Sequence, residues 1–145
     1  MSMNARTLAY WTTTALTAFS FISGGAAYLY HAEAPLKGMA ELGYPMYFVM
    51  LLGVWKVLGG VAILAPRLPL LKEWAYAGIA FDLTGAVVSH AASGHPPMKL
   101  VGPIAILAIA IASWALRPAS RRMNAPTGTS APAGNAVQAY ATASR

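Results

Sequence analysis

The chain contains no cysteine. That removes disulfides, thiolate nucleophiles and Cys-ligated metal or iron–sulfur centres together. Any redox role must therefore draw on a bound cofactor or on one carried by a partner. Charge is scarce as well: 10% of the 145 residues are charged and 57% are hydrophobic, whereas an ordinary soluble domain is about 25% charged. Acids are scarcest, four against ten Lys and Arg, for a net charge of +6. So few charges cannot wet the surface of a soluble bundle, and lipid must be the solvent for much of it. The cations are spread between apolar blocks rather than gathered with aromatics on one patch, which sets nucleic acid aside as a partner.

What is present is four apolar blocks, at about 7–30, 45–65, 74–93 and 100–116. Each is long enough, or nearly so, to cross a hydrocarbon core of about 30 Å. Pro45 suits the start of the second block and Pro103 the first turn of the fourth. The expectation is an all-α, four-helix transmembrane bundle over residues 1–117. Arg6, Arg67, Lys72, Arg117, Arg121 and Arg122 fall on one side of it, Lys37 and Lys99 on the other. The bias of cations toward the cytoplasm then predicts a multi-pass protein with both termini inside. Tyr10, Trp11, Trp74, Tyr76 and Trp114 mark the inner interface in this frame, and Tyr28, Tyr30, Tyr44 and Tyr47 the outer one. The first block is too long for the apolar core of a signal peptide. Residues 118–145 turn to Ala, Pro, Thr, Ser and Gly, a composition that predicts a disordered cytoplasmic tail. No internal repeat argues for an inverted-repeat transporter.

Two charges interrupt the spans. A Lys or Asp near a helix centre costs roughly 2.5–3.5 kcal/mol on insertion scales, so Lys56 and Asp82 are expected to pair or to be used. At 100° per residue, Asp82 shares a stripe with Gly78, Gly85, Ala86, Ser89 and Ser93, opposite Ile79, Leu83 and Val87. Lys56 shares a face with Val49, Gly53, Gly59, Gly60 and Ile63. Small-residue stripes also run along Thr13, Ser20, Gly24, Ala27 and His31 on the first helix and Ala105, Ala108 and Ala112 on the fourth. They are expected to be the packing seams. Antiparallel helices bring Lys56 and Asp82 to one depth, where they can meet. Two readings stay open: an ion pair that sets helix register, or a proton-handling or ligand-orienting pair at an interior cavity. Ser89 and His90 are further candidates for ligand or proton handling. His31, His90 and His95 gather near one mouth with Glu33 and Glu41 nearby, but without the spacing of a metal motif, so no metal is assigned. Trp55 reads as a packing or lipid-facing aromatic.

These residues resemble the DoxX-like membrane proteins. The resemblance lies in Gly43-Tyr44-Pro45 with Tyr47-Phe48, in Leu52-Gly53-Val54-Trp55-Lys56-Val57-Leu58-Gly59, and in Leu71-Lys72-Glu73-Trp74-Ala75-Tyr76-Ala77-Gly78. It continues in Phe81-Asp82-Leu83-Thr84-Gly85-Ala86, Ser89-His90 and Ser113-Trp114, and closes with Leu116-Arg117-Pro118. It implies a four-helix protein of the bacterial inner membrane. The wider family takes its name from a subunit of a thiosulfate:quinone oxidoreductase, and relatives are linked to membrane redox complexes and oxidative-stress handling. No catalytic residue carries over. The functions to weigh are a quinone-associated or accessory subunit of a membrane oxidoreductase, a small proton-coupled transporter, and a non-catalytic assembly protein. The partners expected are the bilayer, a redox protein, and further copies of the chain. Quinone is the cofactor the first of these calls for.

Overall fold

The computed structural model describes residues 4–123. They form α1 (Ala5–Leu29), α2 (Glu33–Glu41), α3 (Met46–Leu64), α4 (Pro69–Ala92), α5 (Met98–Leu116) and one 3-10 turn at Ala119–Arg121. No strand occurs among the described residues. The tail expected to be disordered lies, from residue 124 onward, outside them.

The helix count is five, not four. The connection between the first two long helices folds as α2, with Glu33 in its first turn, where a carboxylate favours the helix N-terminus. Met39 is its one buried residue, and the chain leaves α2 through Gly43 at φ +81°, a left-handed backbone that suits glycine. A second difference lies at α4, which begins at Pro69 rather than near Trp74. Proline at the first helical position is pre-set for the turn, and it draws Lys72 and Glu73 into the helix. Likewise α5 starts at Met98, so Pro103 stands inside the helix instead of in its first turn.

Two helices, α3 and α5, are long and apolar enough to cross a membrane, with mean hydropathy 2.0 and 1.9. α1 and α4 are longer, but the Thr, Ser and Gly of the one and the charges of the other dilute them. All four long helices nevertheless turn large apolar side chains outward, among them Phe19, Trp55, Phe81 and Ile111. Water would not tolerate so continuous an apolar exterior.

The four long helices form a ring in the order α1, α3, α4, α5, every neighbour antiparallel, with the α3–α4 side the least closely packed. Ala18, Phe21, Ile63, Tyr76, Ile79, Leu83 and Ala110 fill its centre. One end of the ring gathers the start of α1, the α3–α4 loop and the end of α5, and with them most of the cations. It is called the cationic end below.

The seams differ from the small-residue stripes. On α1 the buried face is Tyr10, Thr14, Thr17, Ala18, Phe21 and Gly25, about one residue out of phase with the expected stripe. On α4 it is Lys72, Tyr76, Ile79 and Leu83, so the side expected to face lipid is packed. A Cβ added at Gly78 or Gly85 would meet nothing within 4 Å. The small stripe of α4 is therefore open space rather than a tight joint. On α5, Ala105 and Ala108 are exposed, and Ala110 and Ser113 are the buried positions.

Close approach occurs instead between α1 and α3. A Cβ at Gly25 would stand 2.6 Å from the Gly53 carbonyl oxygen, and one at Gly60 2.7 Å from Ile22 Cγ1 and 3.1 Å from the Ala18 carbonyl oxygen. Only glycine lets the two backbones sit this near. Gly25→Ala should therefore lower stability by about 1–3 kcal/mol, the usual cost of overpacking. Gly78→Ala, facing open space, should leave it unchanged. Thermal unfolding of the two variants in detergent, followed by helical circular dichroism, checks the contrast.

Candidate functional site

Lys56 stands just past the middle of α3, with its stem against α1. A Cβ at Gly25 would lie 2.9 Å from Lys56 Cβ, and one at Gly24 3.6 Å from its Cε. The ammonium is carried over the Phe21 ring, 4.3 Å from its centroid, in a cation–π contact. Nζ then donates to Asp82 Oδ2 at 2.6 Å across the α3–α4 gap. Three helices thus converge on one side chain. The two partners keep 15% and 13% of their side-chain surface exposed, because they do not close the interior but form one wall of a cavity.

That cavity is a groove of about 540 Å³ between α3 and α4. Below the ion pair it is walled by Trp55, Leu58 and Ala62 of α3 and by Leu71, Trp74 and Gly78 of α4. Its volume falls within the range of roughly 300–1,000 Å³ common to ligand pockets, and its makeup, apolar with one polar corner, is typical of them. Several of its walls are the outward-facing residues Trp55, Leu58, Trp74 and Phe81, so it opens sideways on the apolar exterior. Trp55, 63% exposed, is thus both outward-facing and part of the groove.

Ser89 and His90 lie about two turns further along α4, roughly 10 Å from Asp82 at 1.5 Å per residue. They form separate contacts there. Ser89 Oγ and the Tyr44 hydroxyl share a hydrogen bond of 2.6 Å, and Tyr44 stacks on Phe48. His90 Nδ1 faces His95 Nδ1 at 2.8 Å, which requires one ring to donate and the other to accept. His31 is exposed, its Nδ1 3.2 Å from the Leu29 carbonyl oxygen, and the three imidazoles do not converge. Among the described residues no three His, Asp or Glu side chains are grouped as metal ligands would be.

The cationic end holds what sequence reading missed. Lys72 and Arg117 read as loop charges that set orientation, yet their exposures are 0% and 3%. Lys72 Nζ donates to the Ile63 and Ala62 carbonyl oxygens at 2.7 and 3.1 Å, closing the C-terminal end of α3. Arg117 Nη2 pairs with Glu73 Oε1 at 2.7 Å, and Trp114 Nε1 donates to Glu73 Oε2 at 2.9 Å. One turn inward, Ser113 Oγ lies 2.7 Å from both Thr14 Oγ1 and the Tyr76 hydroxyl, tying α1, α4 and α5 together. The available signal was Glu73 itself, the one acid at the end where the cations gather. Burial tends to raise the Glu73 pKa, but the hydrogen bonds from Trp114 and Arg117 and the Arg117 charge outweigh it and hold the carboxyl below its usual range. Lys72, in the first turn of α4 ahead of the stretch expected to span, is pushed down to about 8 by burial and by the charges of Arg121 and Arg117.

Two outcomes follow. An unfolded chain keeps Lys72 protonated to a higher pH than the folded one, so between about pH 8 and pH 10 the folded protein should gain stability as pH rises. Melting curves should show that slope in the wild type and a flatter one in Lys72→Met. At the groove, Asp82→Leu alone strands the Lys56 charge and should cost about 3 kcal/mol, the low end for a buried pair. The double change Lys56→Met/Asp82→Leu should recover most of that loss in chemical denaturation.

A family model described as the DoxX-like family matches residues 12–113. That stretch contains α2, α3, α4, nearly all of α1 and most of α5, together with Lys56, Asp82 and the whole groove. No curated protein and no solved structure matches the chain. Apolar helices, a lipid-suited exterior and a family match over most of its length agree: the chain is a membrane protein and belongs to the DoxX-like family.

Proposed function

We propose that this chain is a four-span protein of the bacterial inner membrane whose α3–α4 groove binds a quinone-like lipid, as an accessory subunit of a membrane oxidoreductase. The observation that carries the reading is the position of the Lys56–Asp82 pair in the wall of an apolar groove that opens sideways. A ligand reaching that opening comes from the lipid, so it is lipophilic, and the only charged groups it meets are a cation and a carboxylate. A carbonyl-bearing ring fits this pair. The Lys56 ammonium donates a hydrogen bond to a ring carbonyl, and Asp82 takes up or returns the proton that accompanies reduction. An apolar tail would lie along Leu58, Ala62, Leu71 and Trp74.

A bound quinone would supply two-electron carrying capacity, while this chain supplies binding, orientation and a proton site. The electrons come from a redox partner protein, since the sequence has no thiol to provide them. The side opening favours this reading over a proton-coupled transporter for a polar solute, which needs a path from one aqueous face to the other. The count of cations in the connections supports both termini being cytoplasmic.

The test is mass spectrometry of organic extracts from protein purified in mild detergent, comparing the wild type with Gly78→Leu and with Lys56→Met/Asp82→Leu. Gly78 borders the groove with open space above it, so leucine fills the cavity without displacing a neighbour. A quinone-class molecule should accompany the wild type and be lost from both variants while their helical content is unchanged. A wild type that carries no such molecule, even after loading with ubiquinone or menaquinone, would sink the proposal.

A further inference from the structure

The cationic end of the bundle holds more positive charge than its one acid neutralises. Lys72, Arg117 and Arg121 approach closely enough there to depress the Lys72 pKa, and Glu73 is the sole carboxylate near them. Both Glu73 oxygens are already engaged, one by Arg117 and one by Trp114. Lys72 is committed to the end of α3. Arg121 lies over the Trp11 ring at 4.6 Å and makes only long contacts, 3.4 Å to the Tyr10 hydroxyl and 3.5 Å to the Leu64 carbonyl oxygen. Arg117 Nη1 is buried and has no hydrogen-bond partner among the described residues. A buried guanidinium N–H without an acceptor is costly, and an anion with several oxygens is the group that would relieve it.

A second observation says what that anion is attached to. The Arg117 guanidinium sits over the rings of Tyr76 and Trp114, at 5.2 and 5.4 Å. Both rings line a second groove, of about 320 Å³, which runs away from the cationic end between α4 and α5. Beyond Glu73 its walls are Ala77, Ala80, Leu107 and Ile111, with no charged group. A cluster of cations at one end of an apolar channel matches a phosphate headgroup with a hydrocarbon chain.

We propose that the Lys72–Arg117–Arg121 cluster and the α4–α5 groove together form a binding site for one anionic phospholipid, its phosphate at the cluster and one acyl chain in the groove. This site is separate from the α3–α4 groove, lies on the opposite face of α4, and does not depend on what that groove binds. Free phosphate shares the headgroup chemistry but leaves the channel empty.

Native mass spectrometry of the full chain, released from nanodiscs of phosphatidylcholine containing phosphatidylglycerol, tests the site. Each cation near a membrane surface adds roughly fivefold to anionic lipid affinity, so phosphatidylglycerol should be retained about tenfold or more over phosphatidylcholine. Arg121→Gln should lower retention by about fivefold. Ala77→Phe, at an exposed position that narrows the groove without touching a charge, should lower it comparably, and circular dichroism confirms that both variants fold. Gly78→Leu should leave it unchanged. Equal retention of the two lipids overturns the proposal, as does displacement by millimolar inorganic phosphate, which would mark a free-anion site. Undiminished retention in Ala77→Phe overturns it too, by reducing the site to surface attraction. Loss in Gly78→Leu would move the lipid to the other groove and end the proposal equally.

Discussion

The structure hangs on the contact between α1 and α3. Gly25, Gly53 and Gly60 strip that interface of side chains, and the two helices meet almost backbone to backbone. Once α3 has given this face to α1, its remaining surface toward α4 holds Lys56, Gly59 and Ala62 and cannot reach across in the same way. The α3–α4 gap is a consequence of the tightness next door. Lys56 belongs to both sides of the arrangement, with its stem lying on the glycines of α1 and its ammonium spanning the gap to Asp82. Replacing the α1–α3 contact by a looser one would move the origin of that side chain, and with it the geometry of the groove.

The pairing of Lys56 with Asp82 was legible in the sequence for a simple reason. A charge inside an apolar run has few permitted fates, and antiparallel helices put these two at one depth. The number of long helices and the gathering of cations at one end were legible on similar grounds. Helix faces were not. Residue size shows where a neighbour can come close but not whether one does, and on α4 the small stripe of Gly78 and Gly85 borders a void while Ile79 and Leu83 fill the core. On α1 the misreading came from Thr14 and Thr17, which look polar but satisfy themselves on backbone carbonyls one turn back and are fully buried. Lys72 and Arg117 escaped notice because a cation near a helix end is ordinarily a wet one. Here each finds acceptors in a neighbouring helix end or side chain and is drawn under the surface.

The polar groups fall into layers along the bundle. Nearest the cationic end are the charges that close the ends of α3 and α5; then comes the neutral Thr14–Ser113–Tyr76 group, then Lys56–Asp82, and at the far end Tyr44–Ser89 and His90–His95. The neutral group lies among α1, α4 and α5, the ion pair between α3 and α4. Each layer fastens a different set of helices, so no single one holds the ring closed. Satisfied hydrogen bonds of this kind can order a membrane bundle where apolar packing alone discriminates poorly between registers.

The connection between α3 and α4 is four residues long, Ala65 to Leu68, and turns through Arg67 at φ +58°. So short a link fixes the two helices at the cationic end, like the pivot of a pair of tongs. Further along, the Lys56–Asp82 bond is the one ion pair clasping the jaws among the described residues. Because α3 is clamped to α1, the jaw with freedom to swing is α4, carrying α5 with it. Releasing the clasp would open the pair widest far from the pivot, where Tyr44 meets Ser89, and least beside Leu71 and Trp74. The ion pair therefore doubles as a latch, and any molecule that competes for Lys56 or Asp82 loosens the gate through which it entered.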